Sequence, residues 1–112
     1  MRETTYAVTT QSSRAAARRI RPHADKAASL LKSLANEQRL LILCHLQDEP
    51  LSVGELNERV DLSQSALSQH LAVLREAGVV STTREAQSIR YELASPLVAR
   101  IIGLLYKEFC SP

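Results

Sequence analysis

A mainly α-helical domain carrying one β-hairpin is the fold class predicted by three observations. Apolar residues recur at helical spacing over most of 14–77 and again over 96–109, capping residues punctuate those stretches, and one alternating segment follows Gly78. At 112 residues the chain suits one domain, which buries roughly two-thirds of the surface its unfolded form exposes. Residues 1–13, rich in Thr and Ser without apolar period, read as a flexible arm, and 14–112 as the folded domain.

Taken in order, Arg14, Arg18 and Arg21 recur at intervals of four and three and share one face of a first helix, which Pro22 interrupts. A second helix over His23–Leu34 is covered on one side by Ala27, Leu30, Leu31 and Leu34. Asn36 can accept from the free amides of the next helix, which runs to Gln47 and is apolar enough to be central. Ser52 with Glu55 three residues on is a capping box for Val53–Val60. Asp61 and Leu62 then turn, Ser63 caps again, Leu67, Leu71 and Leu74 line the inner face of the following helix, and Gly78 stops it. Val79–Arg84 is β-rich, Glu85–Ser88 is polar, and Ile89, Tyr91 and Leu93 alternate with Arg90 and Glu92, which makes a hairpin. Ser95 and Pro96 open a last helix.

Leu97, Val98, Ile101, Ile102, Leu104, Leu105, Tyr106 and Phe109 put apolar surface most of the way round that last helix. A domain this small cannot bury every side of a terminal helix, so a homodimer formed through the terminal helices is expected. Two helices joined by a short turn and followed by a hairpin have the order of a winged helix-turn-helix, with double-stranded DNA as the partner. Its second helix leaves Gln64, Ser65, Ser68, Gln69 and His70 on the outer face, where Gln can pair bidentately with adenine and Ser can reach a base or a phosphate. Arg84, Gln87 and Arg90 around the hairpin tip are the candidate wing contacts.

Charge does not carry this reading. Net charge is +2, but residues 1–36 hold seven Lys/Arg against two acids, and the remainder holds seven against ten. The helix-turn-helix half is therefore net acidic, and binding must rest on local placement of side chains. The Arg14, Arg18 and Arg21 stripe reads first as a solvated face, with direct DNA contact as the lesser reading and a raised local positive potential as its minimal effect. A protein-docking winged helix is the alternative, whereas an enzyme is disfavoured: three dispersed glycines make no phosphate cradle, and no nucleophile elbow is present. The longest apolar run, Leu40–Cys44, is too short for a membrane, and Met1–Gln11 does not resemble a secretory leader, so a cytoplasmic protein with reduced thiols is expected.

The run Leu34–Leu40 (LANEQRL) and the run Leu62–Leu71 (LSQSALSQHL), in this order of elements, resemble the ArsR/SmtB family of repressors across residues 24–110. The resemblance implies a dimeric winged helix that binds imperfect inverted repeats in promoters and leaves DNA when an inducer alters the dimer. By matching position it also makes Gln64, Ser65, Ser68, Gln69 and His70 the base or phosphate readers. Metal-sensing members carry paired cysteines on the short helix or Asp, His and Glu along the last one. Here the short helix reads Ser52–Asn57 without cysteine, the last offers only Glu108 and Cys110, and His23, His45 and His70 are scattered, so neither metal nor cofactor is called for.

Cys44 and Cys110 remain. From the residues alone, Cys44 amid Leu40–Leu43 reads as a small buried hydrophobe and Cys110 as a bystander, with a thiol pair as the competing reading. Similarity to the redox- and persulfide-responsive branch of the family implies that Cys44 and Cys110 are the switch, because they match the positions of its cysteine pair.

Overall fold

The capping signals set the helix boundaries. The computed structural model describes residues 10–110. Helix α1 (Thr10–Ile20) begins four residues before Arg14, so the last part of the expected arm is helical; residues 1–9 lie outside the described part. The alanines Ala15–Ala17 are the strongest helix formers, and propagation from them outweighs the weak preferences of Ser and Thr. Pro22, which has no N–H to give, turns the chain through one 3-10 turn, Arg21–His23, into helix α2 (Ala24–Leu34).

Asn36 caps helix α3 (Glu37–Leu46) by accepting the Arg39 N–H at 3.1 Å. A two-residue strand β1 (Leu51–Ser52) leads into helix α4 (Val53–Arg59), whose capping box is complete: Ser52 Oγ accepts from Glu55 N at 3.1 Å and Glu55 Oε1 from Ser52 N at 2.9 Å. Ser63 caps helix α5 (Gln64–Glu76), and Gly78 follows it at φ +75°, the left-handed conformation that a residue without Cβ adopts freely. Strands β2 (Val80–Glu85) and β3 (Ser88–Leu93) form the hairpin, closed by Ala86 and Gln87, and helix α6 (Pro96–Cys110) starts on Ser95, which accepts from Val98 N.

Leu34, Ile42, Leu43, Leu46, Leu56, Leu67, Leu71, Leu74, Val98 and Ile102 come from five helices and meet in one buried cluster with Leu51 and Val80 of the sheet and with Val79 just before β2. The sheet order is β1-β3-β2, antiparallel throughout, with Leu51 opposite Tyr91. Strand β1 is absent from the sequence-based reading because two residues carry no alternation; burial of Leu51 and pairing with β3 create it. No helix among the described residues is long and apolar enough to cross a membrane.

Candidate nucleic-acid interface and cysteine pair

Helices α4 and α5 are set at their angle by polar contacts at the turn. Asn57 Nδ2 donates to the Leu62 carbonyl at 2.8 Å, pinning the turn to α4, while Ser63 Oγ accepts from the Ala66 N–H in the first turn of α5. With Leu67, Leu71 and Leu74 buried, the 3.6-residue repeat leaves Gln64, Ser65, Ser68 and Gln69 exposed together on the opposite face, as the sequence predicts. His70 differs from these four. It is half-buried at the flank of α5, with Nδ1 3.2 Å from Nη1 of Arg39.

On the hairpin, Arg84 and Gln87 are exposed. Arg90 is not a second free wing cation. Register explains this: Arg84 pairs with Ile89 and Thr83 with Arg90, so the two arginines lie on opposite faces of the ribbon. Arg90 Nε donates to Glu85 Oε1 at 2.6 Å, and its Nη1 donates to Glu55 Oε1 at 3.0 Å and to the Pro50 carbonyl at 3.2 Å. The same Glu55 oxygen that completes the α4 cap thus holds the wing against the helix-turn-helix.

The Ser52 backbone N–H, and after it the Arg90 charge, hold the Glu55 carboxyl below the usual carboxylate range. A depressed carboxylate contributes stability that is complete above its unfolded value and disappears as pH falls through its folded one. The wing anchor is therefore intact at neutral pH and lost only in acid. Arg90→Gln is expected to speed amide exchange in Ser88–Leu93 by about tenfold at neutral pH while leaving α5 protected. Equal exchange in the two proteins would remove Arg90 as the anchor.

The cysteines sit away from α5, where α3 meets α6. Gln47 Nε2 donates to the Ala99 carbonyl at 3.1 Å across this junction. Although Cys44 lies within the apolar run of α3, it is exposed, unlike its neighbours Ile42, Leu43 and Leu46; the buried-hydrophobe reading does not hold. It opens into a crevice of about 370 Å³ lined by Gln47, Asp48, Ile102, Gly103 and Tyr106. Ile102, Tyr106 and Cys110 follow one another at four-residue steps, so Cys110 ends the α6 face that this crevice borders. The crevice walls shield Sγ of Cys44 on one side. Burial pushes its thiol up from the ordinary value, and the charge of Cys110 pushes it further the same way. No group of three His, Cys, Asp or Glu side chains among the described residues is placed to hold a metal ion.

Residues that sequence reasoning did not assign are Asn57, Glu55 in its wing role, and Arg39. Each is a polar side chain whose partner lies on another turn or another element.

Residues 36–82, from the cap of α3 through the first half of β2, match the family described as bacterial regulatory protein, arsR family. The transcriptional activator HlyU of Vibrio cholerae is 58% identical over 85 residues, covering 76% of this chain and 79% of HlyU. The chain belongs to the arsR family. Within that family the biofilm growth-associated repressor of Agrobacterium fabrum is 51% identical over 89 residues, covering 80% of this chain and 76% of the repressor.

The solved structure of reduced HlyU from Vibrio cholerae superposes with a TM-score of 0.78 at 53% identity, covering 83% of this chain and 98% of that one. A homodimeric winged helix-turn-helix DNA-binding domain from Mycobacterium bovis, determined in solution, gives 0.71 at 30% identity, covering 78% and 81%. As an arsR-family winged helix-turn-helix, this chain is a DNA-binding transcriptional regulator.

Proposed function

We propose that the chain is a cytoplasmic homodimeric repressor that occupies an inverted-repeat promoter site and leaves it when Cys44 and Cys110 become linked. The observation that carries this reading is the placement of Cys44 at the crevice beside the α6 face that ends in Cys110. The Agrobacterium fabrum relative is named a repressor, which supports that part of the reading, and HlyU, itself named an activator, supports only the thiol part, having been solved in a form described as reduced.

The chemistry balances with either class of inducer. The Cys44 thiolate attacks a hydroperoxide oxygen, giving a sulfenic acid and an alcohol; the Cys110 thiol then forms the disulfide and releases water. With a persulfide, Cys44 takes the outer sulfur and expels a thiolate; attack of the Cys110 thiolate on the Cys44 sulfur closes the disulfide and expels hydrosulfide. Regulated genes would then be those that remove the same oxidants or sulfide-derived species. Linking positions 44 and 110 restrains the unfolded chain by about 4 kcal/mol in the loop-entropy picture, enough to reweight two conformations of a folded dimer if the link strains one of them.

Gln64, Ser65, Ser68 and Gln69 supply base and phosphate contacts from α5, His70 adds one from its flank, and Arg84 and Gln87 reach DNA from the wing. Arg90 belongs to this set only through the wing it holds. Binding is tested on a promoter fragment carrying an inverted repeat. Gln64→Ala and Gln69→Ala are each expected to lower specific affinity by about 1–3 kcal/mol while leaving non-specific binding unchanged. Arg84→Gln is expected instead to weaken both alike and to reduce the salt slope by about one. Equal loss on specific and random DNA in the Gln variants would remove them as base readers.

A further inference from the structure

Arg39 is a charged residue in a helix that is otherwise largely apolar, and its guanidinium is half-buried. Its five donors point in a fixed fork. Nε donates to the Ser33 carbonyl at 2.6 Å and Nη2 to the Lys32 carbonyl at 3.4 Å. These belong to the last turn of α2, where the i→i−4 ladder runs out of amides; the Lys32 carbonyl also takes a share of the Ala35 N–H at 3.3 Å. Anchored there, the fork has one direction left for Nη1, and it meets Nδ1 of His70 on α5 at 3.2 Å.

A guanidinium can only donate. Nδ1 of His70 must therefore present its lone pair, which leaves the ring proton of the neutral imidazole on Nε2. Nε2 lies on the side of the ring away from Arg39 and hence away from the end of α2. It belongs to a residue next to the exposed Gln69. The opposite tautomer would turn a lone pair outward, toward oxygens that are themselves acceptors, and an imidazolium would set an N–H against the guanidinium.

We propose that Arg39 is a positioning residue for DNA binding: by holding Nδ1 of His70 as an acceptor, it makes the neutral Nε2–H a donor to a DNA phosphate. The proposal rests on the reading of His70 as a DNA contact and adds to it the contact's chemistry, a neutral hydrogen bond, and the residue that enforces it. Arg39 touches no DNA itself. It acts from α3, the helix that also carries Cys44, and adds a polar link to the apolar packing between that helix and α5.

The test uses the full chain labelled with 15N at histidine, held at mildly alkaline pH, with and without the operator fragment. In wild type the His70 ring is expected to show the Nε2-protonated pattern, and in Arg39→Gln a mixture of the two tautomers. Operator affinity is expected to fall by about tenfold in Arg39→Gln and equally in His70→Phe, which keeps the ring packing but has no nitrogen, with no further loss in the double variant. The slope of affinity against salt should be unchanged in His70→Phe, because a neutral donor displaces no counterion.

An Nδ1-protonated ring in wild type, or the same tautomer in Arg39→Gln, overturns the proposal whether or not the variant is less stable. Wild-type affinity in His70→Phe, or a slope reduced by about one, overturns the phosphate contact of a neutral ring. Failure of the broader reading is seen separately, as specific binding that survives Gln64→Ala and Gln69→Ala while the His70 spectrum is as expected.

Discussion

Leu104→Glu combined with Phe109→Glu is expected to turn the protein into a folded monomer and to lower its apparent operator affinity by about 10²–10⁴-fold. The two side chains are 66% and 79% exposed in the single protomer, so their replacement removes little of its own packing. Leu97, Leu105 and Tyr106 of α6 are exposed as well, as are Ile20 of α1, Leu31 of α2 and Leu41 of α3. So many exposed apolar side chains along one helix of a small domain mark an interface, and a second copy is the occupant that the proposed inverted-repeat site requires.

The size of the effect comes from linkage between half-sites. Once one protomer is bound, the other searches only the volume its partner allows, and its effective concentration far exceeds that of free protein. Two glutamates in the apolar interface leave charges without partners and oppose association. Light scattering should report the monomer mass, circular dichroism should report unchanged helix, and binding to a single half-site should survive. A dimer mass for the variant, or a monomer that binds the full operator as wild type does, removes α6 as the dimer interface.

The features legible in the sequence are those decided within a few residues. Asn36, the Ser52–Glu55 box, Ser63, Gly78 and Ser95 each act on a backbone group at most three positions away, and all five lie where the capping pattern puts them. The exposed face of α5 follows from the leucine spacing by the same local rule. What escaped depends on register or on distant partners. Arg84 and Arg90 look alike beside a turn until strand pairing sends them to opposite faces, and Glu55 is 35 positions from Arg90. Arg39 and His70 are 31 positions apart. Cys44 shows the opposite error: an apolar run suggests burial, but one position in a helix of this small domain still faces outward.

Cys44→Ser is expected to leave the regulator on its operator under hydroperoxide or persulfide treatment that releases wild type fully, and reductant should return wild type to DNA. The two cysteines are not equivalent in this. Burial, and then the charge of Cys110, raise the Cys44 thiol above its ordinary value, so most of it is protonated at neutral pH. Because the thiolate is the nucleophile, the first step should accelerate by about tenfold per pH unit between neutrality and that raised value, and then level off. Cys110→Ser separates the two steps. It removes the neighbouring charge that opposes ionisation, so Cys44 should be modified at least as fast as in wild type, yet the sulfenic acid or persulfide should accumulate because no second thiol resolves it. Mass spectrometry then shows a modified monomer without the internal link, and gel-shift assays show DNA still bound if the link itself, rather than modification of Cys44, moves the wings. Release of Cys44→Ser by either reagent would place the switch elsewhere. Release of Cys110→Ser with Cys44 modified would keep the sensor at the crevice between α3 and α6 and make filling of that crevice, rather than closure of a disulfide, the event that DNA binding responds to.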